Sequence, residues 1–228
     1  MSNVAMNSPG RVLAREIDLR HARKGVVYVV DDDVSMRLAL DRLLRSEGLQ
    51  VKTFESTQEF SAFPKNDAPS CLILDVRLRG ESGLAFQEQI SKSGGHIPIV
   101  FITSYGDIAM TARAMKAGAV DFLAKPFRDQ DLLDAVANAL ARDISRIAAE
   151  HANANVRSAY ESLTPRERDV MEQVVLGKMN KQIAADLGIS LVTVKCHRSQ
   201  LMRKMGARSV ADLVRKSGSL NLSLRSPA

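Results

Sequence analysis

Several apolar runs in the first half of the chain are each followed by a residue whose side chain could take part in chemistry. These residues are Asp31, Asp32 and Asp33 after the first run, Asp75 after the third, Thr103 after the fourth and Lys125 after the fifth. Carboxylates that lie close together repel one another unless a cation shares their site. Mg²⁺ prefers such oxygen ligands, and a carboxylate beside it can act as a nucleophile that forms an aspartyl-phosphate. Because a lysine can hold the remaining phosphoryl charge, these residue types indicate phosphoryl-transfer chemistry.

A simpler interpretation is that the aspartates only begin helices, because Asp directly after a strand is a common N-cap. Helix capping is a reasonable explanation for any one of these residues. It does not readily explain why chemically active side chains follow four strands at once.

The elements that must position these residues follow from the spacing of apolar side chains. Short apolar runs predict five strands, at residues 26–30, 51–54, 71–74, 97–102 and 121–124. Helical spacing predicts helices at residues 34–46, 56–63, 84–90, 107–117 and from 130 onward, with a loop between Gly80 and Gly83. This alternation predicts an α/β domain with a doubly wound, five-stranded parallel sheet. Ligands of such sheets bind beyond the carboxyl ends of the strands, where the chemical residues lie.

Four segments of this half resemble the receiver domain of bacterial response regulators. They are residues 29–33, 74–78, 102–104 and 125–127, and the resemblance covers roughly residues 24–142. It implies a flavodoxin-like fold, with Mg²⁺ as cofactor and Asp75 as phosphoacceptor. The implied metal ligands are Asp31, Asp32, Asp75 and the backbone carbonyl of Arg77. The implied phosphoryl-binding and switch residues are Thr103, Lys125 and Phe122, and Asp33 is expected to cap the first helix.

Segment 78–83 departs from that family. Arg79 and Glu81 stand where the family commonly has proline and methionine. Proline preorganises φ in such a turn, so we expect a looser loop here. The liganding atoms are unaffected, so the departure bears on the rate and lifetime of phosphorylation.

The last helix of this domain is predicted to run beyond the usual end of a receiver. Its apolar positions are Leu133, Val136, Leu140, Ile144 and Ile147, and the pattern continues to about residue 150 before residues 153–155 weaken it. The helix either packs wholly on its own domain or projects, to pair with a second subunit or to lie against the C-terminal domain. We favour a projecting helical linker over residues 143–157, between a receiver at 25–142 and a C-terminal domain at 158–228.

The C-terminal seventy residues predict a small all-α domain that contains a helix-turn-helix. Thr164, Pro165 and Glu167 form a helix start with a capping box. Further helices are predicted at residues 180–187, 191–205 and 210–216, with a tight turn at Gly188. A generic helical bundle with a solvated basic face is the alternative at this point.

Residues 163–168, 180–184, 187–190 and 193–197 resemble the LuxR-type output domain of NarL/FixJ response regulators, over about residues 158–222. The resemblance implies that the helix-turn-helix at residues 180–199 binds DNA, with its second helix in the major groove. Base contacts are expected from Lys195, Cys196 and Ser199. Phosphate contacts are expected from Lys181, Thr193, His197, Arg203 and Lys204.

Charge and composition agree with this division. Residues 24–128 carry thirteen basic and thirteen acidic side chains, whereas residues 158–228 carry twelve basic and six acidic ones. This excess favours a polyanionic partner for the C-terminal part. Two cysteines exclude a disulfide scaffold and favour a reducing compartment. Without an apolar run of membrane length or a signal-peptide core, no membrane partner is expected, and residues 1–24 are expected to form a disordered leader.

Together the two resemblances imply a cytoplasmic two-component transcription regulator. A partner histidine kinase is expected to phosphorylate Asp75, after which the protein forms a homodimer and binds promoter DNA. Activation of transcription, with RNA polymerase as a further partner, is the expected direction. No enzymatic activity is expected beyond taking and losing its own phosphoryl group in the presence of Mg²⁺.

Two alternatives remain. One is a phosphorylation-independent DNA-binding regulator with a vestigial receiver. The other is a phosphatase with an aspartyl nucleophile, which would place a second acid two residues after that nucleophile. Arg77 stands at that position, which counts against a phosphatase.

Overall fold

The structure is a computed structural model that describes residues 25–65, 68–104 and 106–220. The predicted leader, residues 1–24, lies outside the described residues. The chain divides between Ile147 and Ala148 into two compact units. The strands are β1 Val26–Val30, β2 Gln50–Phe54, β3 Ser70–Asp75, β4 Arg77–Leu78, β5 Glu81–Ser82, β6 Ile99–Thr103 and β7 Asp121–Ala124. The helices are α1 Val34–Ser46, α2 Thr57–Ala62, α3 Gly83–Lys92, α4 Ile108–Lys116, α5 Asp129–Glu161, α6 Pro165–Val175, α7 Asn180–Leu187, α8 Leu191–Lys204 and α9 Val210–Ser219.

The first unit confirms the predicted doubly wound parallel sheet. Its strand order is β2-β1-β3-β6-β7, and every neighbouring pair is parallel. All five residues of β1 are buried, as expected for a strand that is covered on both faces. Side chains of α1 and α5 cover one face of the sheet, and those of α2, α3 and α4 cover the other. The carboxyl ends of β1, β3, β6 and β7 therefore meet at one edge.

The segment predicted as a loop between Gly80 and Gly83 contains part of a short antiparallel ribbon. Strands β4 and β5 pair Arg77 with Ser82 and Leu78 with Glu81. Gly80 turns the ribbon at φ +78°, in the left-handed region that favours glycine. The hydroxyl of Thr57 donates a hydrogen bond to the Glu81 carboxylate and so ties the ribbon to α2. Local pairing and this contact are two features that order the segment without a proline, and the expected looser loop stays a prediction.

A buried carboxylate joins α5 to the amino end of β3. Asp143 is 1 % exposed, and its Oδ2 accepts a hydrogen bond of 2.8 Å from the backbone N–H of Ser70. Its Oδ1 accepts a second bond of 2.8 Å from Arg146 Nε. A buried carboxylate is tolerated only when it is paired in this way. Asp143 therefore belongs to the packing of the first unit, although it lies beyond the predicted boundary at residue 142.

Helix α5 is longer than predicted, since it continues without a break to Glu161. Residues 153–155 do not end it, because asparagine lowers helix propensity only slightly and no glycine or proline interrupts residues 129–161. Its early turns bury Leu132, Val136 and Leu140 in the core of the first unit.

The second unit is a small helical domain, as predicted. One core of buried apolar side chains joins α6, α7, α8 and α9, with Val170, Ile183, Val194, Leu201 and Leu213 at 0 % exposure. The predicted capping box is present. The Thr164 N–H donates to Glu167 Oε2 at 2.8 Å, and the Glu167 N–H donates to Thr164 Oγ1 at 3.3 Å. Among the described residues, no helix is both long enough and apolar enough to cross a membrane.

Candidate metal centre and nucleic-acid interface

Three carboxylates gather at the carboxyl edge of the sheet. Asp31 and Asp32 directly follow β1, and Asp75 is the last residue of the neighbouring strand β3. One oxygen from each lies within 4.8 Å of the others. Asp31 is fully buried and Asp75 is 7 % exposed, whereas Asp32 is partly exposed. The parallel register of β1 and β3 brings together residues that are more than forty positions apart in the sequence.

Asp33, the third aspartate of the run, has a separate role. Its side chain caps α1 by accepting hydrogen bonds from the backbone N–H groups of Ser35, at 2.8 Å, and Met36, at 3.4 Å. Capping therefore explains one of the aspartates that follow β1, as predicted, and does not explain the other two.

Lys125 bridges two of the clustered carboxylates. Its Nζ donates hydrogen bonds of 2.7 Å to Asp31 Oδ2 and of 2.7 Å to Asp75 Oδ2. Burial raises the pKa of Asp31 and outweighs the opposing effect of Lys125. For Lys125 itself, burial lowers the pKa, but the hydrogen bonds to Asp31 and Asp75 more than offset it and the net direction is upward. The ammonium is therefore held in its charged form between two carboxyl groups.

The other predicted receiver residues lie around this cluster. Thr103 ends β6 and is fully buried, and its carbonyl accepts a 2.7 Å hydrogen bond from the Lys125 backbone N–H. Phe122 in β7 is partly buried, with its ring centroid 6.2 Å from that of Phe101. The backbone N–H of Arg77 donates to Asp75 Oδ1 at 3.0 Å. Lys125 and the Arg77 N–H thus contact the carboxylates directly, and Thr103 is joined to Lys125 through the backbone, whereas the ring of Phe122 packs against Phe101.

One residue of this site was not predicted to touch it. Arg79 Nε donates a 3.1 Å hydrogen bond to Asp32 Oδ2, while its side chain remains 80 % exposed. In the sequence Arg79 stands out only as a departure from the family pattern, and no contact was predicted for it. Two cationic side chains therefore face three carboxylates.

The donor set fits a hard divalent cation. Carboxylate oxygens are the ligands that Mg²⁺ prefers, and this ion keeps several waters at a site with few protein ligands. Asp31 is buried with an upward-shifted pKa, so a second cation beside it would favour its ionised form. Among the described residues, the side chains of Asp31, Asp32 and Asp75 form a group that could hold such an ion.

The second unit contains the predicted helix-turn-helix. Helix α7 ends at Gly188, which has φ +64°, and the Ser190 side chain caps α8 by accepting from the Thr193 N–H at 3.0 Å. Arg198 Nη1 donates to Asn180 Oδ1 at 2.6 Å and so joins the two helices. Four of the predicted contact residues on α8 are exposed: Lys195, Cys196, Ser199 and Arg203. Lys181 on α7 is exposed as well, and Thr193 and His197 are partly buried.

The structure gives Lys204 a different role from the predicted phosphate contact. Its Nζ donates a 2.6 Å hydrogen bond to Oε2 of Glu167, a residue that is 1 % exposed, and a second one of 3.2 Å to the Ser162 carbonyl. A buried carboxylate needs such a partner, so this ammonium belongs to the internal packing of the domain. This ion pair competes with the predicted DNA contact of Lys204, which stays a prediction.

Both units match known families. Residues 27–137 match the model described as response regulator receiver domain, and residues 161–217 match that of bacterial regulatory proteins of the luxR family. The chain is 54 % identical over 200 residues to Nodulation protein W of Bradyrhizobium diazoefficiens, covering 88 % of each chain. It is 37 % identical over 201 residues to Transcriptional regulatory protein FixJ of the same organism, covering 87 % of this chain and 98 % of that one.

A solved structure agrees with these relatives. The response regulator StyR is 47 % identical, with a TM-score of 0.77 over 86 % of this chain and 98 % of its own. A match of this extent includes both units, so the likeness is not restricted to the common receiver fold.

Proposed function

This chain belongs to the NarL/FixJ-type response regulators, with a receiver domain and a LuxR-type DNA-binding domain, and on that premise we propose that a partner histidine kinase phosphorylates it on Asp75. The phosphorylated protein then dimerises and binds promoter DNA to regulate transcription, with activation as the expected direction. The observation that carries this proposal is the Asp31–Asp32–Asp75 cluster, in which Lys125 bridges the phosphoacceptor and a second acid.

Phosphoryl transfer begins with a carboxylate oxygen of Asp75. It attacks the phosphorus of the kinase phosphohistidine, an O–P bond forms, the N–P bond breaks, and the imidazole leaves with the bonding electron pair. Asp31, Asp32, Asp75 and the Arg77 carbonyl would hold Mg²⁺, which when bound supplies positive charge that stabilises the phosphoryl oxygens. Lys125 supplies a second positive charge from within the chain, because its ammonium already contacts Asp75 Oδ2.

The new phosphoryl group adds a charge of about −1.5 to −2 next to Asp75. Lys125 then moves from its bridge between two carboxylates towards the stronger anion, and the Thr103 hydroxyl donates to a phosphoryl oxygen. Phe122 follows inward, and the surface around α4 and β7 becomes the dimer face. Autophosphorylation from a small phosphodonor and autodephosphorylation are the only reactions proposed for the chain itself.

The helix-turn-helix supplies the DNA contacts. Lys195, Cys196 and Ser199 on α8 contact bases, and Lys181, Thr193, His197 and Arg203 contact phosphates. The exposure of Lys181, Lys195, Cys196, Ser199 and Arg203 supports this assignment. RNA polymerase is the proposed further partner at the promoter, which locates the protein in the cytoplasm. Residues 25–142 are assigned to the receiver, 143–157 to the linker and 158–228 to the DNA-binding domain, with the first turn of the linker still packed on the receiver through Asp143.

The test is sedimentation velocity of the full chain with Mg²⁺, before and after acetyl phosphate, with the extent of phosphorylation read by intact mass. We expect a monomer that becomes a dimer in proportion to the phosphorylated fraction. A fully phosphorylated chain that remains monomeric would overturn the dimerisation step. A chain that takes no phosphoryl group from acetyl phosphate or from a histidine kinase would favour the vestigial-receiver alternative.

The two lysines of the helix-turn-helix are expected to affect DNA binding differently. Lys181→Ala removes a phosphate contact, so affinity falls for all sequences and the salt dependence weakens by about one counterion. Lys195→Ala removes a base contact and costs roughly 1–3 kcal/mol on the preferred site, with little loss on unrelated DNA. Fluorescence anisotropy over a salt series checks this, using duplexes that the phosphorylated wild type selects from a random library. Equal losses on selected and unrelated duplexes for Lys195→Ala would contradict its assignment.

A further inference from the structure

An exposed arginine on the β4–β5 ribbon, Arg79, forms an ion pair with the acidic cluster. Asp31 and Asp75 share the Lys125 ammonium, each at 2.7 Å. Asp32, the most exposed of the three acids, pairs with Arg79 at 3.1 Å. The guanidinium therefore occupies an oxygen of the one carboxylate that is most open to solvent.

The ribbon holds Arg79 in this position. Arg79 and Gly80 form the turn between β4 and β5, and the Thr57–Glu81 hydrogen bond anchors the second strand to α2. On the other side the Gly83 N–H donates to the Val76 carbonyl at 2.9 Å, and a Cβ on Gly83 would overlap the backbone carbonyl oxygen of Asp75. The ribbon is thus fixed to the end of β3, and Arg79 is held beside the acidic cluster.

We propose that Arg79 is a displaceable counter-ion of the metal site, which competes with a divalent cation for the carboxylate of Asp32. This inference rests on the proposed function, because it requires Asp32 to be a metal ligand. Arg79 then sets the divalent-ion affinity of the site, and with it the Mg²⁺ concentration at which the receiver accepts a phosphoryl group. A neutral residue at position 79 would leave Asp32 free for the metal.

The size of the effect follows from the exposure of the pair. Exposed ion pairs contribute little because water screens them, so we expect a change of about two- to fivefold in affinity rather than a loss of binding. Part of that change comes from the positive charge alone and part from the direct contact. The two parts are separable, because lysine keeps the charge without the planar guanidinium fork.

The first experiment measures Mn²⁺ binding to the full chain by electron paramagnetic resonance of the free ion, followed by competition with Mg²⁺. Arg79→Gln is expected to tighten Mn²⁺ binding about two- to fivefold, with Arg79→Lys between it and the wild type. Arg142→Gln is the matched control. It removes the same charge from an exposed position in the first unit, beside residues 97–99 at the opposite edge of the sheet. It is expected to bind Mn²⁺ as the wild type does.

The second experiment observes the guanidinium directly. In ¹H–¹⁵N spectra of the arginine Nε–H groups, the Arg79 signal is identified by its absence in Arg79→Gln. Mg²⁺ is expected to move that signal towards the position of free arginine, with the same midpoint as the backbone signals of the site. If the Arg79 signal does not shift when Mg²⁺ is added, and Arg79→Gln leaves the Mn²⁺ affinity unchanged, the inference is overturned while the proposed function remains intact. A wild type that binds neither ion would overturn both.

Discussion

Replacing Asp75 with asparagine is expected to abolish phosphorylation of the protein. Asparagine keeps the size of the side chain and an oxygen that can accept the 3.0 Å hydrogen bond from the Arg77 N–H. It removes the anionic oxygen that attacks phosphorus, so the phosphorylated fraction after acetyl phosphate should fall by at least about 100-fold, as expected when a nucleophile is lost. Intact mass measures the adduct, and sedimentation velocity should show that phosphodonor-dependent dimerisation is lost with it.

The chain offers a matched control for this variant in Asp33→Asn. Asp33 is also an aspartate at this edge of the sheet, but it caps α1 and belongs to no carboxylate cluster. Asparagine is about as good an N-cap as aspartate, so this variant should take a phosphoryl group and dimerise like the wild type. If Asp75→Asn still formed the adduct, the phosphoacceptor would be another residue. Loss of the adduct in both variants would indicate an electrostatic effect rather than a lost nucleophile.

The second large effect concerns the stability of the DNA-binding domain. Lys204→Met keeps the aliphatic stem of the side chain but leaves the Glu167 carboxylate, 1 % exposed, without its 2.6 Å ammonium partner. Removal of one member of a buried ion pair strands a charge, and because Lys204 is itself partly exposed we expect a loss of roughly 2–4 kcal/mol. Hydrogen exchange of the full chain, followed by mass spectrometry, should show faster exchange in α6 and α8.

Arg203, next to Lys204, offers a control that distinguishes the stabilising role of Lys204 from DNA binding. Arg203 is exposed, so Arg203→Met should change the free energy of unfolding by no more than about 0.5 kcal/mol while it weakens binding to DNA. Lys204→Met should lower the free energy of unfolding while leaving DNA affinity unchanged, when binding is measured at temperatures where the domain stays folded. If the two variants lose DNA affinity equally with unchanged exchange rates, Lys204 is a phosphate contact after all.

The Glu167 pair also makes this domain sensitive to acid. Burial raises the pKa of Glu167, but hydrogen bonds from Lys204 and Thr164 lower it by more, and the net direction is downward. A carboxyl group whose pKa is lower in the folded state stabilises the fold above its unfolded pKa, near 4.5, and loses that contribution as the pH falls through the folded value. In Lys204→Met the free energy of unfolding should therefore differ less between pH 7 and the acid range than it does in the wild type.

Most of the fold could be predicted from local patterns in the sequence. The five strands of the parallel sheet and the Thr164–Glu167 capping box depend on neighbouring residues, so periodicity and spacing predicted them, whereas the Asp33 cap followed from the family resemblance. The carboxyl edge of the sheet, where the acidic cluster lies, was predictable because parallel strands bring their carboxyl ends together. The contacts that were missed join distant positions: Arg79 is 47 residues from Asp32, and Lys204 is 37 residues from Glu167. In the sequence both resemble solvated basic residues, because the acid that each one contacts is brought close only by tertiary packing.

The Asp143 bridge bears on how this receiver can be recombined with other output domains. A chimeric regulator joined at residue 142 would discard the carboxylate that accepts from the Ser70 N–H, and would replace it with whatever residue the donor protein has there. The orphaned N–H lies at the start of the same strand that ends in Asp75. A fusion junction placed after Arg146 would keep both hydrogen bonds of Asp143 and preserve the strand that presents the phosphoacceptor.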